Sequence, residues 1–344
     1  RIEAGTVIRG KPGKDADTSA LIVCRGARIF AQGTPTQPII FTAEADDLSD
    51  PEDLDLYERG LWGGVVLMGK AVLNTTVDAA GNAASPKYEV YEGISDLDIN
   101  GQRVHRFGGN DDNDSSGVMR YVSIRHGGVA FAPNKEINGL SLCAVGRGTT
   151  LEFIEVYGFA DDGFEFFGGT VNTKYLVSAF NDDDAFDIDM GYRGRNQFWF
   201  AIQEAGKKDS GGEWNGEPNE ANSGAAPIAN YQVWNATFIG AGATSSGNNG
   251  LTVRVYAAPE VYNSILTDFG GVGLRITDDK AGQYAASGLM KFRENLWCGF
   301  KDGAVGDRAA VFFDTASFNN PQVNPHLRAI SRIADGGLDP RPQP

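Results

Sequence analysis

Carboxylates stand at the same place in two similar segments of this chain. The segment Asp161–Phe166 reads DDGFEF, and Asp183–Ile188, which begins 22 residues later, reads DDAFDI. In each, a further carboxylate, Glu165 or Asp187, stands between two large apolar side chains. If the segments stack in register, Glu165 and Asp187 lie about 4.8 Å apart, the spacing of neighbouring strands. Carboxylates that close repel each other, so one must hold a proton or a cation must lie between them.

The residues alone leave three interpretations of this acidic cluster open. As a glycosidase pair, two carboxylates about 5 Å apart suit a retaining mechanism and a wider pair suits inversion. As turn residues, Asp and Asn cap backbone groups and recur because the structure recurs. As a calcium site, the cluster provides the hard oxygen ligands that this ion prefers. The predicted calcium ligands are Asp162, Glu165, Asp184, Asp187 and Asp189, with Asp161 and Asp183 beside them.

A second acidic segment partly matches a calcium-binding loop. From Asp112 it reads D-x-D-x-S-G through Asp114 and Gly117, but Ser123 stands at the twelfth position, where such loops carry a bidentate Glu. Asp112 and Asp114 are therefore further predicted metal ligands, and an ordinary polar loop is the competing interpretation.

A polysaccharide lyase needs a basic residue to abstract a proton, and usually a calcium ion beside it. The most suggestive basic pair is Arg125-His126, followed by two glycines. If the protein is an enzyme, its catalytic residues are expected to be Asp187 and Glu165 with Arg125 and His126. The chain has no Gly-His-Gly, G-x-S-x-G or H-E-x-x-H motif. These absences favour a non-enzymatic protein, and leave a lyase or hydrolase acting on an acidic polysaccharide as the alternative.

Aromatic residues beside the acidic cluster could stack on sugar rings. Trp214 and Tyr192 are predicted to lie in loops next to the cluster and to face a ligand. Trp199 and Trp234 lie in strand patterns and are predicted to belong to the core.

Short apolar strands, which recur about every 22 to 24 residues, must position these side chains. Each repeat begins with a small turn residue and continues with alternating apolar and polar positions. This anchor is found at Ser116–Tyr121, Asn138–Leu142, Asp162–Phe166, Asp184–Ile188, Asn249–Val253 and Val272–Ile276. A second strand follows within the repeat, as at Leu151–Val156, Lys174–Val177, Gln197–Ile202 and Glu260–Ile265. Alternation places Phe164, Phe166, Phe186, Ile188, Leu251 and Val253 inside.

A period near 22 residues predicts an all-β, single-stranded, right-handed parallel β-helix, a solenoid with loop insertions. The solenoid is expected to span residues 1–335, with insertions near 44–60, 77–115 and 204–227, and residues 336–344 to form a C-terminal linker or tail. The first and last coils show no obvious cap. Their unpaired strand edges could therefore associate end to end and form fibres.

The net charge of −15 and the pI near 4.6 argue against nucleic acid as a partner, because that partner requires a basic face. The sequence contains no run of eighteen apolar residues, so no transmembrane segment is expected.

Several strings together resemble a family of secreted bacterial right-handed β-helix proteins in the pectate-lyase-like superfamily, whose activity is not assigned. They are Gly5–Ile8, Ala20–Val23, Gly33-Thr34, Pro38–Thr42, Trp62–Gly64 and Asp161–Val171. The resemblance implies a β-helix exported to the outside or the outer surface of a bacterium. We therefore expect a structural, adhesive or fibre-forming protein that is supported by Ca²⁺ and whose partners are copies of itself or an extracellular polysaccharide.

Overall fold

The computed structural model describes residues 1–75, 87–91, 98–132, 135–206, 209–217, 225–314, 318–333 and 337–343. In chain order, the strands up to the middle of this part are β1 (Val7–Gly10), β2 (Leu21–Val23), β3 (Ile29–Gln32), β4 (Ile39–Ala43), β5 (Val65–Met68), β6 (Glu89–Val90), β7 (Asp98–Ile99), β8 (Gln102–Arg103), β9 (Arg106–Phe107), β10 (Gly117–Arg125), β11 (Ala130–Ala132), β12 (Lys135–Glu136), β13 (Leu140–Val145), β14 (Thr150–Tyr157) and β15 (Phe164–Gly169). The later strands are β16 (Thr173–Ala179), β17 (Phe186–Asp189), β18 (Arg195–Ile202), β19 (Glu213–Asn215), β20 (Gln232–Trp234), β21 (Thr237–Ile239), β22 (Leu251–Arg254), β23 (Glu260–Tyr262), β24 (Ile265–Phe269), β25 (Leu274–Ile276), β26 (Lys291–Arg293), β27 (Leu296–Phe300), β28 (Leu327–Ala329) and β29 (Asp339–Pro342).

Helices are short in the described residues. They are α1 (Asp279–Ala286) and 3-10 turns at Asp15–Asp17 and Ala310–Phe312. Within the same part of the chain, no helix has the length and apolar character needed to cross a membrane.

Two parallel sheets run along the molecule. The larger follows the order β1-β4-β10-β14-β16-β18-β20-β23-β26, with β3, β21, β24 and β27 paired beside this path. The smaller follows the order β2-β5-β13-β15-β17-β19-β22-β25. From β13 to β19 successive strands alternate between the two sheets, and each pairs in parallel with the equivalent strand of the next coil. The prediction of an all-β parallel β-helix is therefore confirmed.

The apolar side chains that alternation placed inside the solenoid do form its core. Phe164, Phe166, Phe186, Ile188, Leu251 and Val253 have no exposed surface. Phe186 stacks on Phe164, its equivalent in the preceding coil, and on Trp199 of the larger sheet, with ring centroids 5.2 Å and 4.3 Å apart. The stacking of aromatic rings adds to area burial in holding consecutive coils in register.

The long strands of the larger sheet bend at an aromatic residue in the left-handed backbone region. Tyr121, Phe153, Tyr175 and Phe198 have φ between 49° and 60°, and their rings stack with centroids 4.4 to 4.9 Å apart. This conformation is costly for a non-glycine residue, and its recurrence shows that the bend is imposed by the coil. The bend divides the outer surface of the larger sheet into two faces.

One predicted repeat anchor was wrong. Gly117–Arg125 belongs to the larger sheet, where it pairs with Ile29–Gln32 and Thr150–Tyr157, whereas the other anchors lead into strands of the smaller sheet. A small residue followed by an apolar alternation describes a strand of either sheet, so the pattern alone could not separate them.

The last coil is covered, contrary to the expectation of a bare end. Phe312 packs on Phe292 and Phe313 on Trp297, with ring centroids 5.0 Å and 5.3 Å apart. The parallel strands of the two long sheets end at Phe300. Within the predicted tail, β29 pairs with β28, so the described part of that segment is not an extended linker.

The insertions differ in how much structure they hold. Residues 44–60 form turns without a strand, as expected. Within 77–115, β6 pairs with β9 and β7 with β8, while 76–86 and 92–97 lie outside the described residues. The predicted insertion 204–227 contains β19, which is a regular strand of the smaller sheet.

Candidate metal centre

An acidic pocket lies on the outside of the smaller sheet, where the turns enter β15, β17 and β19. Its volume is about 340 Å³. All of its lining residues are polar, and eight of the ten are carboxylates: Asn138, Asp161, Asp162, Glu165, Asp183, Asp184, Asp187, Asp209, Ser210 and Glu213. None of these described lining residues is a lysine, arginine or histidine.

The register of the coils produces this concentration of charge. Glu165 pairs directly with Asp187, and Ile188 pairs with Trp214, so Glu213 follows Asp187 one coil further on. The predicted stacking of Glu165 on Asp187 is therefore confirmed. Strand spacing of about 4.8 Å keeps these outward carboxylates next to one another.

The turn carboxylates form a second column and hold the backbone of the next coil. Asp162 Oδ1 accepts a hydrogen bond from the Asp184 backbone N–H at 3.0 Å. Asp184 Oδ1 accepts one from the Ser210 N–H at 2.6 Å. The turn-capping interpretation therefore holds for one oxygen of each side chain.

Burial and mutual repulsion make the ionised form of these groups costly. Burial, and next the charge of Asp187, raises the pKa of both Asp162 and Asp184 well above the usual aspartate range. Burial and the charge of Asp189 likewise raise the pKa of Asp187, and the Ile188 N–H and the Arg254 guanidinium offset part of that rise. These three carboxyl groups therefore hold a proton more readily than an exposed aspartate does.

The nearest cation is already engaged. Arg254 Nη2 contacts Glu213, and its Nε donates to Asn215 Oδ1 at 2.6 Å. Glu213 also lines the pocket, so this ion pair neutralises one of the carboxylates there.

Two sets of oxygens are close enough to share one ion. Oxygens of Asp162, Glu165 and Asp187 all lie within 4.8 Å of one another, and so do oxygens of Asp161, Asp162 and Asp183. Asn138 lines the same pocket and contacts Glu165 of the first set. Its Nδ2 donates to Glu165, while its Oδ1 is buried and accepts no hydrogen bond from the described residues. A buried amide oxygen without a donor is unfavourable by about 1–3 kcal/mol, which a coordinated cation would offset.

The second predicted calcium segment is used differently. Asp112 pairs with Arg193 at 2.8 Å, and its Oδ1 also accepts the Val72 N–H. Asp114 accepts the Lys70 N–H at 3.1 Å and lies 3.8 Å from the Lys70 ammonium. Asp112 and Asp114 do not line the acidic pocket, and both lie beside cationic side chains of the protein.

Asp189 also lies apart from the predicted ligand set. It is one strand position beyond Ile188, and its Oδ1 accepts the Met190 N–H. It does not line the pocket, and it acts on the site through its charge, which helps to raise the pKa of Asp187.

The predicted ligand-facing aromatics are core residues instead. Trp214 and Tyr192 have no exposed surface, and both pack against Tyr231. Trp199 is in the core as predicted, whereas Trp234, also predicted there, is 39% exposed. The acidic pocket therefore lacks an aromatic wall formed by Trp214 or Tyr192.

The predicted basic pair lies elsewhere on the molecule. Arg125 ends β10 in the larger sheet and His126 follows it. His126 Nδ1 contacts the Glu58 carbonyl at 2.8 Å, and Arg125 lies 3.7 Å from Glu155. They border a separate pocket formed with residues 46–56. The four predicted catalytic residues are thus not brought together.

Sequence reasoning missed Asp209 as a member of the pocket. By register it is the counterpart of Asp161 and Asp183 in the next coil. The extra residues between β18 and β19 lengthen that coil beyond the 22-residue period, and this hides the correspondence.

The fold and the pocket define a parallel β-helix protein with an acidic site on the outer face of its smaller sheet. A scan against family models matches residues 1–302 to the pectate-lyase-like beta helix domain. The chain belongs to this family. Searches of curated proteins and of solved structures return no significant match.

Proposed function

We propose that this is an extracellular, calcium-supported β-helix protein with a structural or adhesive role. The acidic pocket holds Ca²⁺, and the ion joins the coils that carry Glu165 and Asp187. The observation that carries the proposal is the buried Asn138 Oδ1 without a donor, beside three carboxylates whose oxygens lie within 4.8 Å of one another.

The chemistry of the ligand set favours calcium among the common divalent cations. Calcium takes six to eight oxygen ligands in irregular arrangements, and accepts carboxylates together with amide oxygens. Magnesium requires a small, near-octahedral shell and keeps several waters. A wide pocket with eight carboxylates and an amide suits the larger ion.

An extracellular location is supported by the calcium concentration that such a site needs for saturation. Extracellular calcium modules have dissociation constants of about 10⁻⁴–10⁻³ M, which the medium outside a cell can saturate. The acidic surface, with a net charge of −15, also suits a cation-rich environment. The covered last coil disfavours head-to-tail fibres through that end, so the sides of the solenoid are the surfaces for adhesion or assembly.

A glycoside hydrolase is the second candidate, because the close carboxylates include groups with raised pKa values, as a general acid requires. A lyase is less well supported, since no described residue lining the pocket is a lysine, arginine, histidine or tyrosine that could abstract the proton.

Calcium titration by calorimetry, combined with a product assay, separates these functions. We expect saturable Ca²⁺ binding at one site with a dissociation constant of about 10⁻⁴ M or tighter, weaker Mg²⁺ binding, and no reducing ends or unsaturated products from alginate, pectate or ulvan. Product formation that is abolished in Asp187→Asn would establish the enzyme and contradict the structural role. Absence of any calcium heat would remove the metal.

A further inference from the structure

A cationic pocket of about 470 Å³ lies beside the first two strands of the smaller sheet, β2 and β5. Four of its eight lining residues are cations, and none of the described ones is acidic. The side chains that matter below are Arg25, Lys70, Arg103 and Arg106, with Tyr88. No described residue lines both this pocket and the acidic one. A local concentration of positive charge therefore exists on a chain whose net charge is −15.

Three separate parts of the fold bring these cations together. Arg25 follows β2 and Lys70 follows β5, and these two strands pair in parallel. Arg103 and Arg106 belong to β8 and β9 of the 77–115 insertion. An extended polyanion needs a row of cations along successive coils, which this pocket does not provide. Cations that border one pocket from separate elements instead suit a compact anion.

Arg25 is held in place, yet its charge has no partner among the described residues. Its Nε donates to the Gly108 carbonyl oxygen at 2.6 Å, and its guanidinium carbon lies 5.0 Å from the centroid of the Tyr88 ring. Its two terminal nitrogens donate to no described residue, and no described carboxylate pairs with it. A partly buried charge without a partner is unfavourable, and a bound anion would offset that cost.

A glycine allows the Lys70 ammonium to lie next to Arg25 along the chain. Gly26 has φ +88°, and a Cβ at this position would lie 3.3 Å from Lys70 Cε and 3.4 Å from Lys70 Nζ. The ammonium is 3.8 Å from Asp114 Oδ1, and the Lys70 side chain is 37% exposed. Because an ammonium has three donors, Lys70 can bind a ligand while it remains near Asp114.

We propose that this pocket binds a phosphate or sulfate group carried by a small organic molecule. The planar fork of Arg25 pairs with two oxygens of that group, and Lys70 pairs with a third. The arginines of β8 and β9 add positive charge, and the organic part packs on the exposed Tyr88 ring. The oxygens of a tetrahedral group do not share one plane, so they meet cations from separate elements better than a flat carboxylate does. The volume lies in the range of about 300–1,000 Å³ that is typical of small-molecule sites.

Calorimetric titration in calcium-free Tris chloride buffer, which contains no competing oxyanion, tests the ligand class. The probes are phenyl phosphate, phenyl sulfate, inorganic phosphate and benzoate. We expect one or both phenyl esters to bind about tenfold more tightly than benzoate or inorganic phosphate, with an affinity that falls as salt is added. The stronger of the two esters identifies the group as phosphate or sulfate.

Substitution of Arg25 tests the role of the fork. Arg25→Lys keeps the charge and should weaken binding of the preferred ester about tenfold, because the paired donors are lost. Arg28→Gln is the matched control, since Arg28 is exposed, lies three residues further along and does not line the pocket. It should leave the affinity unchanged.

A thiol in the pocket reports binding in the unaltered protein. Cys24 lines the pocket and is partly exposed, whereas Cys298 is partly exposed elsewhere. At an ester concentration about ten times the dissociation constant, alkylation of Cys24 by iodoacetamide should slow about tenfold, because few molecules have an empty site. Alkylation of Cys298, measured by mass spectrometry in the same sample, should keep its rate.

The proposal is overturned if neither ester binds, or if benzoate or inorganic phosphate binds as tightly as the better ester. Equal losses of affinity in Arg25→Lys and Arg28→Gln would also overturn it. So would an ester that binds without protecting Cys24, or that slows both thiols equally. The protection assay requires no substitution, so it decides the matter even if Arg25→Lys destabilises the insertion. All of these measurements are made without calcium and do not depend on the acidic pocket.

Discussion

Removal of calcium with a chelator is expected to lower the melting temperature of this protein by about 5–10 °C at pH 7.5. An ion that binds only the folded state stabilises it by about 4 kcal/mol at a thousandfold excess over its dissociation constant. For a chain of this size, 1 kcal/mol shifts the midpoint by about 2 °C. Scanning calorimetry in calcium and then in chelator measures the difference.

The pH dependence of stability tests the calcium site more sharply, because the free energy of unfolding should change with pH in opposite directions in the metal-free and the calcium-bound protein. In the metal-free protein the pKa values of Asp162, Asp184 and Asp187 are above those of the unfolded chain, so the folded state binds more protons. The free energy of unfolding then falls as the pH rises from the ordinary aspartate pKa through the raised values. With calcium bound, the ion holds the carboxylates ionised and acid displaces it, so stability rises with pH over the same window.

Melting curves from about pH 5 to pH 8, with and without calcium, should therefore have slopes of opposite sign. Magnesium at the same concentration serves as the control, since it adds ionic strength without suiting the site. Parallel slopes, or a chelator effect that magnesium reverses equally well, would contradict a calcium centre in the acidic pocket.

Neutralisation of the central carboxylates is the second large expected effect. Glu165→Gln and Asp187→Asn keep the shape of each side chain and remove one carboxylate charge from the proposed ligand set. Calcium affinity should fall at least a hundredfold in each variant, because loss even of an outer-shell partner commonly weakens metal binding 10- to 100-fold. The chelator should then change the melting temperature little.

The same variants should be more stable than the wild type when both are free of metal. Each substitution removes one member of a buried, mutually repelling group, which relieves the repulsion that raises the pKa of its neighbours. Asp307→Asn is the matched control: this carboxylate is exposed and paired with Arg275, outside the pocket. If Asp187→Asn retains wild-type calcium affinity, the ion binds elsewhere.

The repeat, more than any single motif, allowed the fold and the main acidic column to be predicted from sequence. A 22-residue step places Glu165 on Asp187 once the coils are parallel, and the structure has this pairing. The prediction of the inward residues was also correct, because alternation within a strand assigns Phe164 and Phe186 to the interior.

The side of the sheet on which Trp214 and Trp234 lie could not be predicted from the linear sequence. Trp214 follows a polar segment and reads as a loop residue, yet it pairs with Ile188 as a regular inward position. Trp234 has the alternation of a strand, but its ring lies on the outer side of the sheet. Face assignment needs the register of the whole coil, and a lengthened coil shifts it without a local signal.

The sequence also did not show which of the carboxylates are available to a metal ion. Whether an Asp in a polar segment is available to a metal depends on which cations fold back onto it, and Arg193 is 81 residues from Asp112 in sequence. Conversely, Asn138 is an ordinary turn residue by sequence, and its importance comes from burial of an oxygen that has no donor.

Anomalous diffraction from crystals grown in calcium chloride tests the central claim most directly. The account predicts a calcium peak in the acidic pocket, about 2.3–2.6 Å from Asn138 Oδ1 and from oxygens of Glu165 and Asp187. A peak confined to other parts of the surface, or no peak at saturating calcium, would contradict it.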